Sequence, residues 1–145
     1  MTRRAGIDLP GAVRRAMVVH ARESSPRECC GLLIGTNARI QFAVPMENVE
    51  RSAVKYRIDE RAHIDLRRAL RRFVPALEIR GVYHSHPAGE AAPSPTDVAD
   101  AHYPEWIHVI VGLKGPANVR AFRIRRGQVR ELRISLYHPF AKRPF

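Results

Sequence analysis

A chain of 145 residues with 45% hydrophobic and 27% charged residues has the length and composition of one packed soluble domain, which excludes disordered and fibrous classes. Its formal charge of +11, from 25 basic and 14 acidic residues, raises the question of nucleic acid. The basic residues are spread along the chain without interleaved aromatics to stack on bases, so a solvated charged surface or a face for an acidic protein fits better.

In chain order, residues 9–24 place Val13, Ala16, Met17, Val19, His20 and Ala21 at near-helical spacing, closed by Ser24, Ser25 and Pro26. The apolar run over 29–34 and the alternation over 39–44, separated by Thr36 and Asn37, predict a hairpin. Residues 54–58 predict a further strand, and Asp59 caps a helix over 60–73 whose apolar side is Ile64, Leu66, Ala69, Leu70 and Phe73. A strand over 79–84 leads into a Pro-, Gly- and Ala-rich loop over 87–93 and a helix beginning at Ser94 and running to about Tyr103. The nearly continuous apolar run over 106–113 reads as a central strand, and 119–124 with 129–136 as a hairpin turned by Arg126-Gly127-Gln128.

These elements predict one α/β or α+β domain, helices on a single mixed sheet, with a core over about 9–136. The Pro- and aromatic-rich tail over 137–145 either packs or mediates self-association as a homodimer, and composition does not decide between them. No apolar run reaches the roughly 18 to 20 residues of a membrane span, and the first 13 residues lack the apolar core of a secretion signal. The adjacent Cys29 and Cys30 are poorly placed to bridge each other, so no disulfide framework is expected. A cytoplasmic protein follows by default.

The chemistry concentrates in His84-Ser85-His86-Pro87, followed by Ser94 and Asp97. Histidines at i and i+2 at the end of a strand project from one face, and the 87–93 loop is long enough to return Asp97 beside them. Two imidazoles and one carboxylate leave a tetrahedral zinc with one open position, as in catalytic rather than structural sites. Hydrolysis also needs a proton shuttle, for which Glu28 at the start of an apolar strand is the candidate. Ser94 is placed to donate a hydrogen bond to a developing oxyanion.

Each residue also has a plainer reading. Ser94-Pro95-Thr96-Asp97 is a good helix start in its own right, which need not compete with ligation by Asp97. A lone His-x-His or a lone glutamate is weak evidence, and Cys29 and Cys30 read as small buried hydrophobes. It is the joint spacing that favours a metal site.

A distant glutamate, His-x-His, seven residues, Ser, two residues and Asp is the pattern of the JAMM (MPN-plus) zinc metalloproteases, which the sequence resembles at Glu28, His84, His86, Ser94 and Asp97. The likeness extends to the segments 26–35, 47–48, 56–59, 81–83 and 106–111, hence over about 9–136. The resemblance implies one zinc per chain on His84, His86 and Asp97, Glu28 as the base, Ser94 as the oxyanion donor, and a curved sheet similar to cytidine deaminases. The chain is too short for the insertions of the eukaryotic deubiquitinases. It resembles the compact bacterial branch, which implies trimming of ubiquitin-like sulfur-carrier proteins to expose a Gly-Gly end, and a basic surface suits small acidic carriers. Three readings compete with it. One is a zinc deaminase, whose Pro-Cys-x-x-Cys ligands are absent; the others are a non-catalytic MPN-type scaffold and a basic protein- or nucleic-acid-binding module.

Overall fold

The structure, a computed structural model, describes residues 5–137. In order the elements are β1 (Gly6–Pro10), α1 (Gly11–Ser24), β2 (Cys30–Thr36), β3 (Arg39–Met46), α2 (Glu60–Leu70), β4 (Glu78–His86), α3 (Pro95–Ala99), β5 (Ile107–Gly112), β6 (Asn118–Arg125) and β7 (Gln128–Tyr137). The result is an α+β fold on one mixed sheet with few helices. The expected curved sheet goes further and closes into a barrel in the order β1-β3-β2-β4-β5-β6-β7. Closure depends on β1, which the sequence reading did not separate from the first helix. It pairs in parallel with β7 from Gly6↔Arg133 to Pro10↔Tyr137 and touches β3 at Asp8↔Arg39. Only five residues long and ending in Pro10, it offers too short a pattern for periodicity to detect.

Strands β2 and β5 are buried on both faces, which is why they read as nearly continuous apolar runs; in β4 the middle, Gly81–Ser85, is buried as well. One face packs α1, through Met17, Val18 and Ala21, onto Leu33, Tyr83 and Val109. The other packs Leu70 of α2, with Leu66, onto Leu32 and Ile34. The β2–β3 and β6–β7 hairpins form as the turn residues predict, with Asn37, Arg126 and Gly127 at positive φ.

Three expectations are corrected. Residues 54–58 form no strand: Val54 is 74% exposed, and the segment is held as a loop by Asn48, which donates to the Lys55 carbonyl and accepts from the Arg57 amide. The second helix stops at Leu70 rather than Phe73, because Phe73 is exposed and has no core to face. The third ends at Ala99, one turn and a cap long. Residues 138–145, where most of the proposed self-association tail falls, lie outside the described residues. Among the described residues no helix is long and apolar enough to cross a membrane.

Candidate metal centre

Each element delivers one part of a single cluster. Alternation along β4 turns His84 and His86 to the face opposite Tyr83, and β4 lies between β2 and β5, which fixes its height and twist. The 87–93 loop turns back over the end of β5. The His86 carbonyl accepts from the Gly89 and Leu113 amides, and the Gly89 carbonyl from Lys114. Gly112 makes this return possible, since a Cβ there would stand 2.4 Å from the Ala91 nitrogen. Ser94 then starts α3 with a full capping box: its hydroxyl accepts from the Asp97 amide at 3.1 Å, and Asp97 Oδ2 accepts from the Ser94 amide at 2.9 Å.

The same Asp97 Oδ2 lies 3.1 Å from His84 Nε2 and 3.0 Å from His86 Nε2, and the two nitrogens are 3.1 Å apart. His84 and Asp97 are buried. His86 Nδ1 donates to the Glu90 carbonyl at 2.9 Å, so in its neutral form the Nε2 lone pair faces the carboxylate. Three such atoms aimed at one point are held together either by protons on the imidazoles, which then donate to the carboxylate, or by a cation among them. Their spacing is near the roughly 3.3 Å edge expected for ligands about 2.0–2.1 Å from a tetrahedral zinc. Among the described residues His84, His86 and Asp97 form a group that could hold a metal ion, and the donor set fits one.

The electrostatics of Asp97 and His84 agree with that donor set. Burial pushes the Asp97 carboxyl up, but hydrogen bonds and charge from His84 and His86 and the Ser94 amide more than offset it, leaving the group well below the usual carboxylate range. His84 is lowered by burial despite Asp97, the neutral state a ligand needs. For His86, burial lowers the pKa, yet Asp97, the Glu90 carbonyl and Glu28 raise it overall.

Glu28 precedes β2, with its amide donating to the Ser52 carbonyl and its own carbonyl accepting from Asn48. It is 4% exposed, and its Oε1 has no partner among the described residues. Burial raises its pKa to about 7, opposed by His86 and reinforced by Asp97. A buried carboxyl poised near neutrality beside a metal-ligand cluster has the properties of a general acid–base group.

The structure therefore brings Glu28, His84, His86, Ser94 and Asp97 to one place. Sequence reasoning missed three further contributors. Tyr56 stacks on His84 with ring centroids 4.5 Å apart; its only signal was membership of a family-like segment, and as a predicted strand residue it had no assigned direction. Ser85 Oγ accepts from the Cys29 amide at 2.8 Å while the Ser85 amide donates to the Cys29 carbonyl at 3.1 Å. This clamp locks the residue after Glu28 to the residue between the histidines. His108, on β5, is buried with its Nε2 unpartnered among the described residues; burial, with the neighbouring His84, lowers its pKa to about 4.

A family model described as prokaryotic homologs of the JAB domain matches residues 10–125. The chain belongs to this family. A CysO-cysteine peptidase of Mycobacterium tuberculosis is 37% identical over 131 residues, spanning 86% of this chain and 87% of that one. A probable TtuB-protein conjugate cleaving protease of Thermus thermophilus is 36% identical over 110 residues, spanning 75% and 70%. A solution structure of a protein from Desulfitobacterium hafniense superposes with a TM-score of 0.82 at 29% identity, over 90% of this chain and 92% of the other. As a prokaryotic JAB protein, the chain keeps a full His-His-Asp donor set where the fold places it.

Proposed function

We propose that this JAB-family hydrolase is a zinc-dependent peptidase that trims the C-terminus of a ubiquitin-like sulfur-carrier protein, with residues 9–136 acting as one cytoplasmic catalytic domain. The observation that carries the reading is the triangle of His84 Nε2, His86 Nε2 and Asp97 Oδ2, with edges of 3.0–3.1 Å, beside a buried Glu28 whose pKa is near 7. Relatives named as a CysO-cysteine peptidase and a TtuB-conjugate cleaving protease support the substrate class.

His84, His86 and Asp97 would hold the ion, which when bound supplies Lewis acidity and brings the pKa of water at its open position to about 7. Glu28 takes the proton of the attacking water and delivers it to the leaving amine as the C–N bond breaks. The Ser94 hydroxyl accepts from the Asp97 amide, so its proton is available to donate to the oxyanion of the tetrahedral intermediate. Tyr56 and the Ser85–Cys29 clamp keep His84 and the Glu28 backbone in register.

The scaffold alternative predicts a broken donor set, and here the set is complete. The test is mass spectrometry of an acidic ubiquitin-like carrier bearing a short extension after Gly-Gly, incubated with zinc-loaded protein. Release of the extension with wild type and not with Glu28→Gln is expected; an intact carrier after prolonged incubation with zinc-loaded wild type contradicts the reading.

A further inference from the structure

Two cavities lie in line along the outer face of β4. The first, of about 410 Å³, begins at Tyr56 over His84 and is floored by Leu32, Val82 and His108, which are register partners across β2, β4 and β5. Its far wall is the stacked pair Tyr103 and Trp106, with ring centroids 4.1 Å apart. The same pair lines a second cavity of about 500 Å³ with an apolar floor of Leu70, Leu77 and Ile79, rimmed by Arg67 and Arg71. The two adjoin at that aromatic wall.

The second cavity carries three arginines, Arg67, Arg71 and Arg80, against two glutamates, Glu78 and Glu105. Its carboxylates are already engaged, Glu78 with Arg80 at 3.4 Å and Glu105 with Arg125 at 3.5 Å. On α2, Asp65 pairs with Arg61 at 3.7 Å. Arg67, Arg68, Arg71 and Arg72 have no carboxylate partner among the described residues; of these Arg67 and Arg71 line the cavity, and Arg67 is hydrogen-bonded to the His63 ring. Exposed Phe73 and Val74 lie next to them. Guanidinium groups around an apolar floor match a protein face with carboxylates around an apolar centre, better than a nucleic acid, which would leave the floor without a partner.

Distance ties this groove to the metal centre. From Ile79 to His84 the strand advances five residues, about 16 Å. An extended tail of about five residues has a similar reach. A folded partner whose C-terminal tail ends at the cluster therefore has its body over the groove. The geometry points to the Arg67–Arg71 groove as the docking site for the folded body of the substrate, an acidic protein face with an apolar centre. This inference rests on the carrier-cleavage reading of the centre and deepens it: the centre reads the tail, and the groove reads the body.

The experiment compares Arg67→Glu/Arg71→Glu with wild type on two substrates, the whole carrier with its extension and a peptide of the carrier's last residues with the same extension. A rise of at least tenfold in KM for the carrier at unchanged kcat is expected, with kcat/KM for the peptide within twofold of wild type. Raising the salt should weaken wild-type binding of the carrier and narrow the gap. Equal effects on both substrates, or none on either, overturn the docking site while leaving the cleavage reading intact. Cleavage of neither substrate by wild type sinks both. A DNA duplex retained by wild type and lost by the variant, with carrier KM unchanged, assigns the groove to nucleic acid instead.

Discussion

Glu28 and the residue pairs around it show what a sequence can state about a single position. The type and spacing of Glu28, His84, His86, Ser94 and Asp97 were legible because each reflects a fixed chemical need: neutral nitrogen donors, a carboxylate, a proton shuttle. Their electrostatics were not, because burial of Glu28 depends on residues 48 and 52, far from the motif. Glu28→Gln keeps the shape and removes the base, so hydrolysis should fall by about 10²–10⁴-fold with metal content unchanged. Cys29 and Cys30, read as small hydrophobes, are both buried and free. Burial pushes their pKa values to about 11 and about 12. At pH 8 both should be inert to a thiol reagent in the native protein, and two thiols per chain should react on denaturation. The sign for stability follows, since a raised folded pKa favours the protonated folded state. The contribution is whole below the ordinary thiol value near 9.0 and is lost as pH rises towards 11. Thermal melting between pH 8 and 11 checks it.

At the scale of elements, periodicity found β2 through β7 and α2 because those segments bury one or both faces over enough residues to leave a pattern. It failed for β1, which is too short, and for residues 54–58, where apolar and polar residues alternate in a loop fixed by the side chain of Asn48. No local pattern reveals a loop pinned by one distant amide. The return of the 87–93 loop was legible from its length, but its dependence on Gly112 was not. Gly112→Ala forces a Cβ against the Ala91 backbone nitrogen, so a destabilisation of about 1–3 kcal/mol is expected from overpacking. A weaker hold on metal should accompany it as His86 shifts; chemical denaturation and a zinc titration read the two effects. Asp59 accepts from the Ala62 amide at 3.1 Å, and Asp59→Ala should cost about 1 kcal/mol through loss of the α2 cap.

At the scale of the whole molecule, the sheet's closure through β1 and β7 joins residues over 120 apart in the chain. That contact has no sequence signature, which is why the expectation stopped at a curved sheet. The charge of +11 was legible as a number and as a general attraction for acidic partners. What it did not show was that Arg67 and Arg71, without carboxylate partners among the described residues, line one groove within tail's reach of the metal cluster. The account stands on that cluster binding zinc. Elemental analysis of protein purified without a histidine tag tests it most directly, comparing wild type, Glu28→Gln and His84→Ala/His86→Ala. About one zinc per chain in the first two and none in the third is predicted; a folded wild-type protein that carries no zinc, and gains no stability when zinc is added, contradicts it.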